Sequence, residues 1–183
     1  MKKITITQIS EKKIKAGNPL LQMEDFPNEL SFDEGELVEL VDSRQKFVAK
    51  AYLAKQNKGV GWVFSLDNAD SFNEAFFKKQ FEKAKRKRTD LQSDPETTTY
   101  RLFNAEGDGI PGVTIDHYDG FAVVSWYSEG IFRYQTAIIA AFQAVFPETK
   151  GIYEKFRYQR KDGLISRYVR GDAAPTPLIV KEN

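Results

Sequence analysis

Hydrophobic and polar positions alternate in three different ways along the chain. Near the start, Ile4 and Ile6 are separated by threonine, as in a half-buried strand. LVELV at 37–41, FVAKAYLA at 47–54 and VGWVF at 60–64 are further strand candidates, bounded by Gly, Asp, Ser and Asn. Residues 12–36 are polar, with GNP at 17–19 and FPNEL at 26–30, and hold one short helix or only loops. Several short strands in succession predict a small β-barrel over residues 1–70.

From Asp70 to Leu91 the period changes. Phe72, Phe76, Phe77, Phe81 and Ala84 recur at three-to-four spacing, the apolar stripe of a helix. Ser71-x-x-Glu74 has the form of a capping box and Ser93-Asp94-Pro95 ends the run. Residues 95–183 mix both periods. Strands are expected near 98–103, 112–116, 121–127, 151–156 and 177–181, with a helix from Ile131 to Phe146 and Pro147 just past it. Asp119-Gly120 is a hairpin turn. The expected fold class is α+β: a barrel at 1–70, a linking helix at 71–94, and a strand-strand-helix-strand-strand module at 95–183. The tail from Asp172, with Pro175 and Pro177, reads as a connector.

Composition narrows the chemistry. There is no cysteine and one histidine, His117, expected on the surface of the hairpin. Thiolate metal sites, disulfides and cysteine nucleophiles are excluded within these residues, and histidine-based zinc sites and Ser-His-Asp triads are disfavoured. No metal partner is expected. No apolar run reaches the ~18 residues of a membrane span, and no signal-peptide core follows Met1, so a cytoplasmic protein without a membrane partner is expected. The net charge of +1 conceals an uneven distribution, with the positive excess confined to residues 71–92. There, Lys78, Lys79, Lys83, Lys85, Arg86, Lys87 and Arg88 face a single acid, Glu82, between 78 and 88. Such a cluster binds phosphate backbones, or it is a solvated helix face whose lysine stems cover apolar surface.

One segment, RLFNAEGDGIPGVTIDHYDGF at 101–121, is more distinctive. Its glycines and Pro111 form a tight turn between strands. Glu106 and Asp108 read as turn-holding acids in preference to a general acid/base pair or metal site. GDGIPG lacks both the strand-to-helix context of a dinucleotide loop and the Lys-Ser/Thr end of a P-loop. The segment closely resembles a signature of the PUA-containing class I methyltransferases that methylate cytosine C5 in bacterial 23S ribosomal RNA. That resemblance implies a PUA-like barrel, a ribosomal RNA partner and S-adenosylmethionine as cofactor of the parent protein. It adds Lys12, Lys13, Lys15, Lys50, Lys55 and Lys58 of the barrel to the candidate RNA ligands, and makes RNA binding the preferred reading of the basic run. Arg157, Arg160, Lys161 and Arg167 could also touch RNA, or protect a polar hairpin edge.

The chain departs from the family in two places. It has Asn18-Pro19-Leu20-Leu21 where many relatives carry His-Pro-Trp-hydrophobic-Phe, and Tyr153-Glu154-Lys155-Phe156-Arg157 where they carry Tyr-Glu-Arg-Ser-Asp. The family's chemistry needs a cysteine thiolate and a doubly wound cofactor domain. Neither is legible here. The expectation is therefore an RNA-recognition N-terminal part of a longer methyltransferase, with the 183-residue chain alone inactive and holding no cofactor. The alternative is a free-standing PUA-like RNA-binding or adaptor protein. Apolar strands in the α+β module could pair between two copies as a homodimer.

Overall fold

The computed structural model describes residues 1–57 and 59–182. Two five-stranded sheets organise the chain. The first contains β1 (Lys2–Thr5), β2 (Leu20–Leu21), β3 (Leu37–Val41), β4 (Phe47–Gln56) and β5 (Gly59–Ser65), in the order β1-β3-β4-β5-β2. β1 runs parallel to β3 and the other pairs are antiparallel. The expected barrel is not closed: β1 and β2 are the sheet's two edges and do not pair among the described residues. A helix that the polar stretch only partly signalled, α1 (Gln8–Lys15), stands between them. Thr7 caps it, and Ile14 joins Ile6, Leu21 and Phe26 in the interior. Asp25 holds it from below, accepting from Ser10 Oγ at 2.6 Å and Lys13 Nζ at 2.7 Å. Burial alone would raise the Asp25 carboxyl, but those two donors and the Gln22 amide bring it below the usual range.

The second sheet contains β6 (Thr99–Asn104), β7 (Val113–Tyr118), β8 (Phe121–Trp126), β9 (Gly151–Phe156) and β10 (Ser166–Gly171), in the order β10-β9-β8-β7-β6. Asp119 and Gly120, both at positive φ, close the β7–β8 hairpin as expected. β8 and β9 are parallel, so the chain must cross over between them. It does so through α5 (Glu129–Phe132) and α6 (Gln135–Val145). The single expected helix is thus broken at Arg133-Tyr134. The reason lies across the molecule: Tyr134 Oη donates to Gly35 O at 2.6 Å and its ring packs edge-on to Phe72. β10 was not anticipated because SRYVRG is largely exposed and polar, the composition of an edge strand. Residues 177–181 form no strand, although Thr98 N donates to Lys181 O at 2.9 Å and Lys181 N donates to Thr98 Oγ1 at 2.8 Å.

α2 (Glu74–Lys87) begins at Asn73, whose side chain accepts from Phe76 N at 3.1 Å; the Ser71–Glu74 box does not form. Phe72 is drawn into the core instead, and a separate short helix, α3 (Thr89–Ser93), follows. Phe81 of α2 meets Phe103 of β6 and Phe142 of α6, so α2 and α6 cover the second sheet together.

The two sheets meet on a common core, and the first sheet has a second core on its other face. β4 is buried on both faces from Val48 to Ala54. Its Ala49, Ala51 and Leu53 face the first sheet's own interior, while Tyr52 and Ala54, with Trp62 and Phe64 of β5, join the core of α2 and the second sheet. Tyr52 is fully buried and its Oη donates to Pro111 O at 2.9 Å. Gly112, at φ +79, passes so close that a Cβ there would lie 2.6 Å from that oxygen.

Removing the Tyr52 hydroxyl should therefore destabilise the whole chain. Tyr52→Phe should lower the unfolding free energy by about 1 kcal/mol. Gly112→Ala, which adds positive-φ strain to the clash, should cost more than about 1 kcal/mol. Urea unfolding followed by far-UV circular dichroism and tryptophan fluorescence should show one coincident transition, since Trp62 and Trp126 share the core. Two separated transitions would contradict a shared core.

Candidate nucleic-acid interface

Cationic side chains gather in three places. The first is α2. Phe76, Phe77, Phe81 and Ala84 turn inward and leave Lys78, Lys79, Lys83, Arg86 and Lys87 exposed. Lys78 and Arg86 make no ion pair or side-chain hydrogen bond among the described residues, and Lys79 and Lys83 make only long contacts, at 3.9 Å to Asp70 and 3.4 Å to Gln80. The C-terminal end of the run is different. Lys85 donates to Val145 O at 2.8 Å, pairs with Glu148 at 3.2 Å and lies over the Phe146 ring. Lys87 and Arg88 converge on Asp108, at 3.0 and 2.6 Å. Part of the basic run is therefore internal bracing.

Asp108 is the carboxylate that this bracing needs. It sits in the short helix α4 (Ala105–Asp108), is buried, and also accepts from Asn104 N at 2.8 Å. Burial pushes its carboxyl up, yet Arg88, Lys87 and the Asn104 amide together hold it below the ordinary range. Glu106 is exposed, so the two acids do not converge on a shared site. Arg101 pairs with Asp116 across the β6–β7 ladder. The glycines of this segment make no cofactor cradle. A Cβ at Gly109 would meet Gln80 and one at Gly112 would meet Tyr52, so protein fills the space.

The second place is the first sheet. Lys12 is exposed on α1, while Lys13 pairs with Asp25 and Lys15 with Glu11 at 2.6 Å. Lys50 is buried, its ammonium donating to Asn68 O and Asp70 O at 2.6 and 2.7 Å. Lys58 lies outside the described residues.

The third place is a groove between the end of β4 and the loop after β9, reached from Lys55, Arg157 and Lys161, all exposed. Arg160 is held by Asp162 at 2.6 Å and by the Phe156 and Phe132 rings, and Arg167 by Glu154 at 2.6 Å. Sequence reasoning missed three lining residues, Tyr127, Arg133 and Tyr158. The usable signal was the parallel pairing of β8 and β9, which brings the residues after both strands to the same end of the sheet. His117 is also corrected: it lies within β7, half-buried, stacked on Tyr100 and accepting from Gly120 N at 3.1 Å. Burial holds its imidazole below the usual value, so it is neutral at pH 7. No group of three or more potential metal ligands clusters among the described residues, and no helix is long and apolar enough to cross a membrane.

This fold and these surfaces define the class. Residues 4–66 match the family model of the PUA-like domain. The chain is 37% identical to YwbD of Bacillus subtilis, provisionally named a ribosomal RNA large subunit methyltransferase, across 100% of the chain and 47% of that protein. It is 31% identical to ribosomal RNA large subunit methyltransferase I of Cronobacter sakazakii, across 81% of the chain and 38% of that protein. A solved Streptococcus mutans protein, provisionally named a SAM-dependent methyltransferase, superposes with a TM-score of 0.87 at 40% identity, over 96% of this chain and 44% of that one. A second solved structure, of a provisionally named methyltransferase in complex with SAH, gives 0.88 at 40% identity over the same shares. The chain is thus homologous to ribosomal RNA large subunit methyltransferases, and spans about half the length of these relatives or less. The expectations of an inactive chain without a cofactor are withdrawn. A relative provisionally named a methyltransferase aligns with 100% of the chain, and 96% of the chain superposes on part of a provisionally named methyltransferase solved with SAH.

Asp108→Asn should destabilise the chain by about 2–3 kcal/mol at pH 7, because Arg88 loses its buried counterion. The native carboxyl has a lowered pKa, so its contribution is complete above the unfolded value of 3.8 and disappears as pH falls through the folded value. The stability gap between wild type and variant, measured by chemical denaturation, should narrow below pH 3.8.

Proposed function

We propose that this chain serves S-adenosylmethionine-dependent methylation of large-subunit ribosomal RNA, and that its own part is to recognise the RNA. The observation that carries this reading is the homology along the full chain, joined to a PUA-like domain packed against a basic helix. Lys78, Lys79, Lys83 and Arg86 on α2 supply the phosphate contacts, with Lys12 of α1 as an exposed supplement. Lys13, Lys50, Lys85, Lys87 and Arg88 shape the scaffold that presents them. The target atom is C5 of a cytosine in 23S ribosomal RNA, a narrower reading supported by the resemblance at residues 101–121. The protein works in the cytoplasm, where that RNA is.

Mass spectrometry of large-subunit ribosomal RNA from a strain lacking the gene should show one methylcytosine lost and restored by complementation. Unchanged modification would sink the reading. Lys79→Glu combined with Lys83→Glu and Arg86→Glu should weaken binding of a ribosomal RNA fragment at least ~10-fold. It should also flatten the plot of log affinity against log salt by up to ~0.9 per lost phosphate contact. An unaltered salt slope would remove α2 from the interface.

A further inference from the structure

The groove beyond β4 and β9 is built for a different form of RNA from the one a helix face suits. Two open hollows of about 520 and 600 Å³ share Lys55, Tyr158 and Gln159 as walls, and so lie side by side as the two parts of a surface channel. One wall comes from the first sheet and the other from the second. Tyr127 and Tyr158, both half-buried, line it, following β8 and β9.

The charges around the channel are unequal in their freedom. Of its acids, Asp162 is neutralised by Arg160 at 2.6 Å. Two acids have no cation partner among the described residues: Glu34, which accepts from Lys55 N at 2.9 Å and whose other oxygen is buried without a hydrogen-bond partner, and Glu129, at the first turn of α5. Against these stand Lys55, Arg133, Arg157 and Lys161, all exposed and none in an ion pair among the described residues. The loop that presents two of them is anchored. Arg157 N donates to Trp126 O at 2.7 Å, Leu164 N donates to Asp162 Oδ1 at 3.1 Å, and Arg160 lies over two phenylalanine rings. Burial pushes the Tyr158 phenol up to about 12, so it stays neutral beside these cations.

We infer that this channel binds an unpaired RNA segment, its bases against Tyr127 and Tyr158 and its phosphates on Lys55, Arg157 and Lys161. This rests on the RNA-recognition reading above and adds a second, strand-selective surface to it. Hollows of this volume admit nucleotide-sized groups, whereas an A-form duplex displays its bases only in a shallow groove and cannot place one between two tyrosines. Cations tracking a backbone beside aromatic rings are the common chemistry of single-strand binding.

The test uses the 183-residue chain and two fluorescent probes: an unstructured pyrimidine RNA of about 12 nucleotides and a fully paired RNA duplex of similar charge. Lys55→Glu with Arg157→Glu and Lys161→Glu should weaken single-strand binding at least ~10-fold and reduce its salt slope by about 2, at ~0.7 per phosphate. Duplex affinity should change less than ~3-fold. Tyr127→Leu with Tyr158→Leu should weaken single-strand binding at least ~5-fold at unchanged salt slope. Thermal unfolding confirms that each variant remains folded. If the wild type binds the single strand and the triple variant binds it equally well, the channel is rejected while the RNA reading stands. If both probes lose affinity alike, selectivity for unpaired RNA is rejected. If the wild type binds neither probe, the RNA-recognition reading falls and the channel falls with it.

Discussion

The buried phenol of Tyr52 fixes how the two halves of this molecule meet. It stands at the outer face of the first sheet, donates to Pro111 O in the turn before β7, and leaves room only for glycine at 112. Around it Trp62, Phe72, Phe64, Phe76, Phe77 and Tyr134 form a connected set of rings with centroids 4.5–5.9 Å apart. The two kinds of interaction do different work. Each aromatic pair is worth ~0.5–1.5 kcal/mol beyond its area, so the rings supply most of the adhesion. The hydrogen bond contributes only ~1 kcal/mol net, but leaving a buried donor or acceptor unmatched costs ~1–3. The rings therefore bring the first sheet onto α2 and the α5–α6 crossover, and the Tyr52–Pro111 bond selects one orientation among those that bury similar area.

Bracing of this kind also decides how much positive charge is free to meet a phosphate. The run from 78 to 88 carries a formal +6. Lys85, Lys87 and Arg88 are turned back into the protein by Glu148, Val145 O and Asp108. Arg88 and Lys87, with the Asn104 amide, hold the Asp108 carboxyl below its ordinary range despite its depth. A cation is likewise turned inward at Asp25, which pairs with Lys13, and at the fully buried Glu154, which pairs with Arg167. A count of lysines therefore overstates the number of counterions that RNA would displace. The contributing set is the exposed stripe of α2, where neighbouring carboxylates are few or distant.

The elements that sequence patterning located best were those whose environment is simple. LVELV and GIYEKF are strands over the expected residues, and the Phe-rich stripe is a helix. The misses have a common physical origin in distant partners. Nothing local in IFRYQTA announces a helix break, because the break answers to Gly35. Ser71 looked like a cap, but its neighbour Phe72 is claimed by the aromatic core. One clue was available. FVAKAYLA does not alternate: it is apolar at every position except Lys50, the pattern of a strand covered on both faces, and β4 is the strand on which the two cores meet. The groove residues Tyr127, Arg133 and Tyr158 were less accessible, since they come together only once β8 and β9 pair in parallel.

The segment at 101–121 owes its distinctiveness to this architecture. Arg101 and Asp116 lock β6 to β7, Asp108 receives the end of α2, Pro111 receives Tyr52, and Gly112 gives the clearance. Each residue answers to a different neighbouring element, so few substitutions satisfy all of them together. A reaction site would concentrate its reactive groups on one cavity, whereas here Glu106 points out and Asp108 points in. The segment is better understood as a joint. By tying β4, which carries Lys55, to the turn before β7 through Tyr52 and Pro111, it also links the most recognisable letters of the chain to its least expected surface.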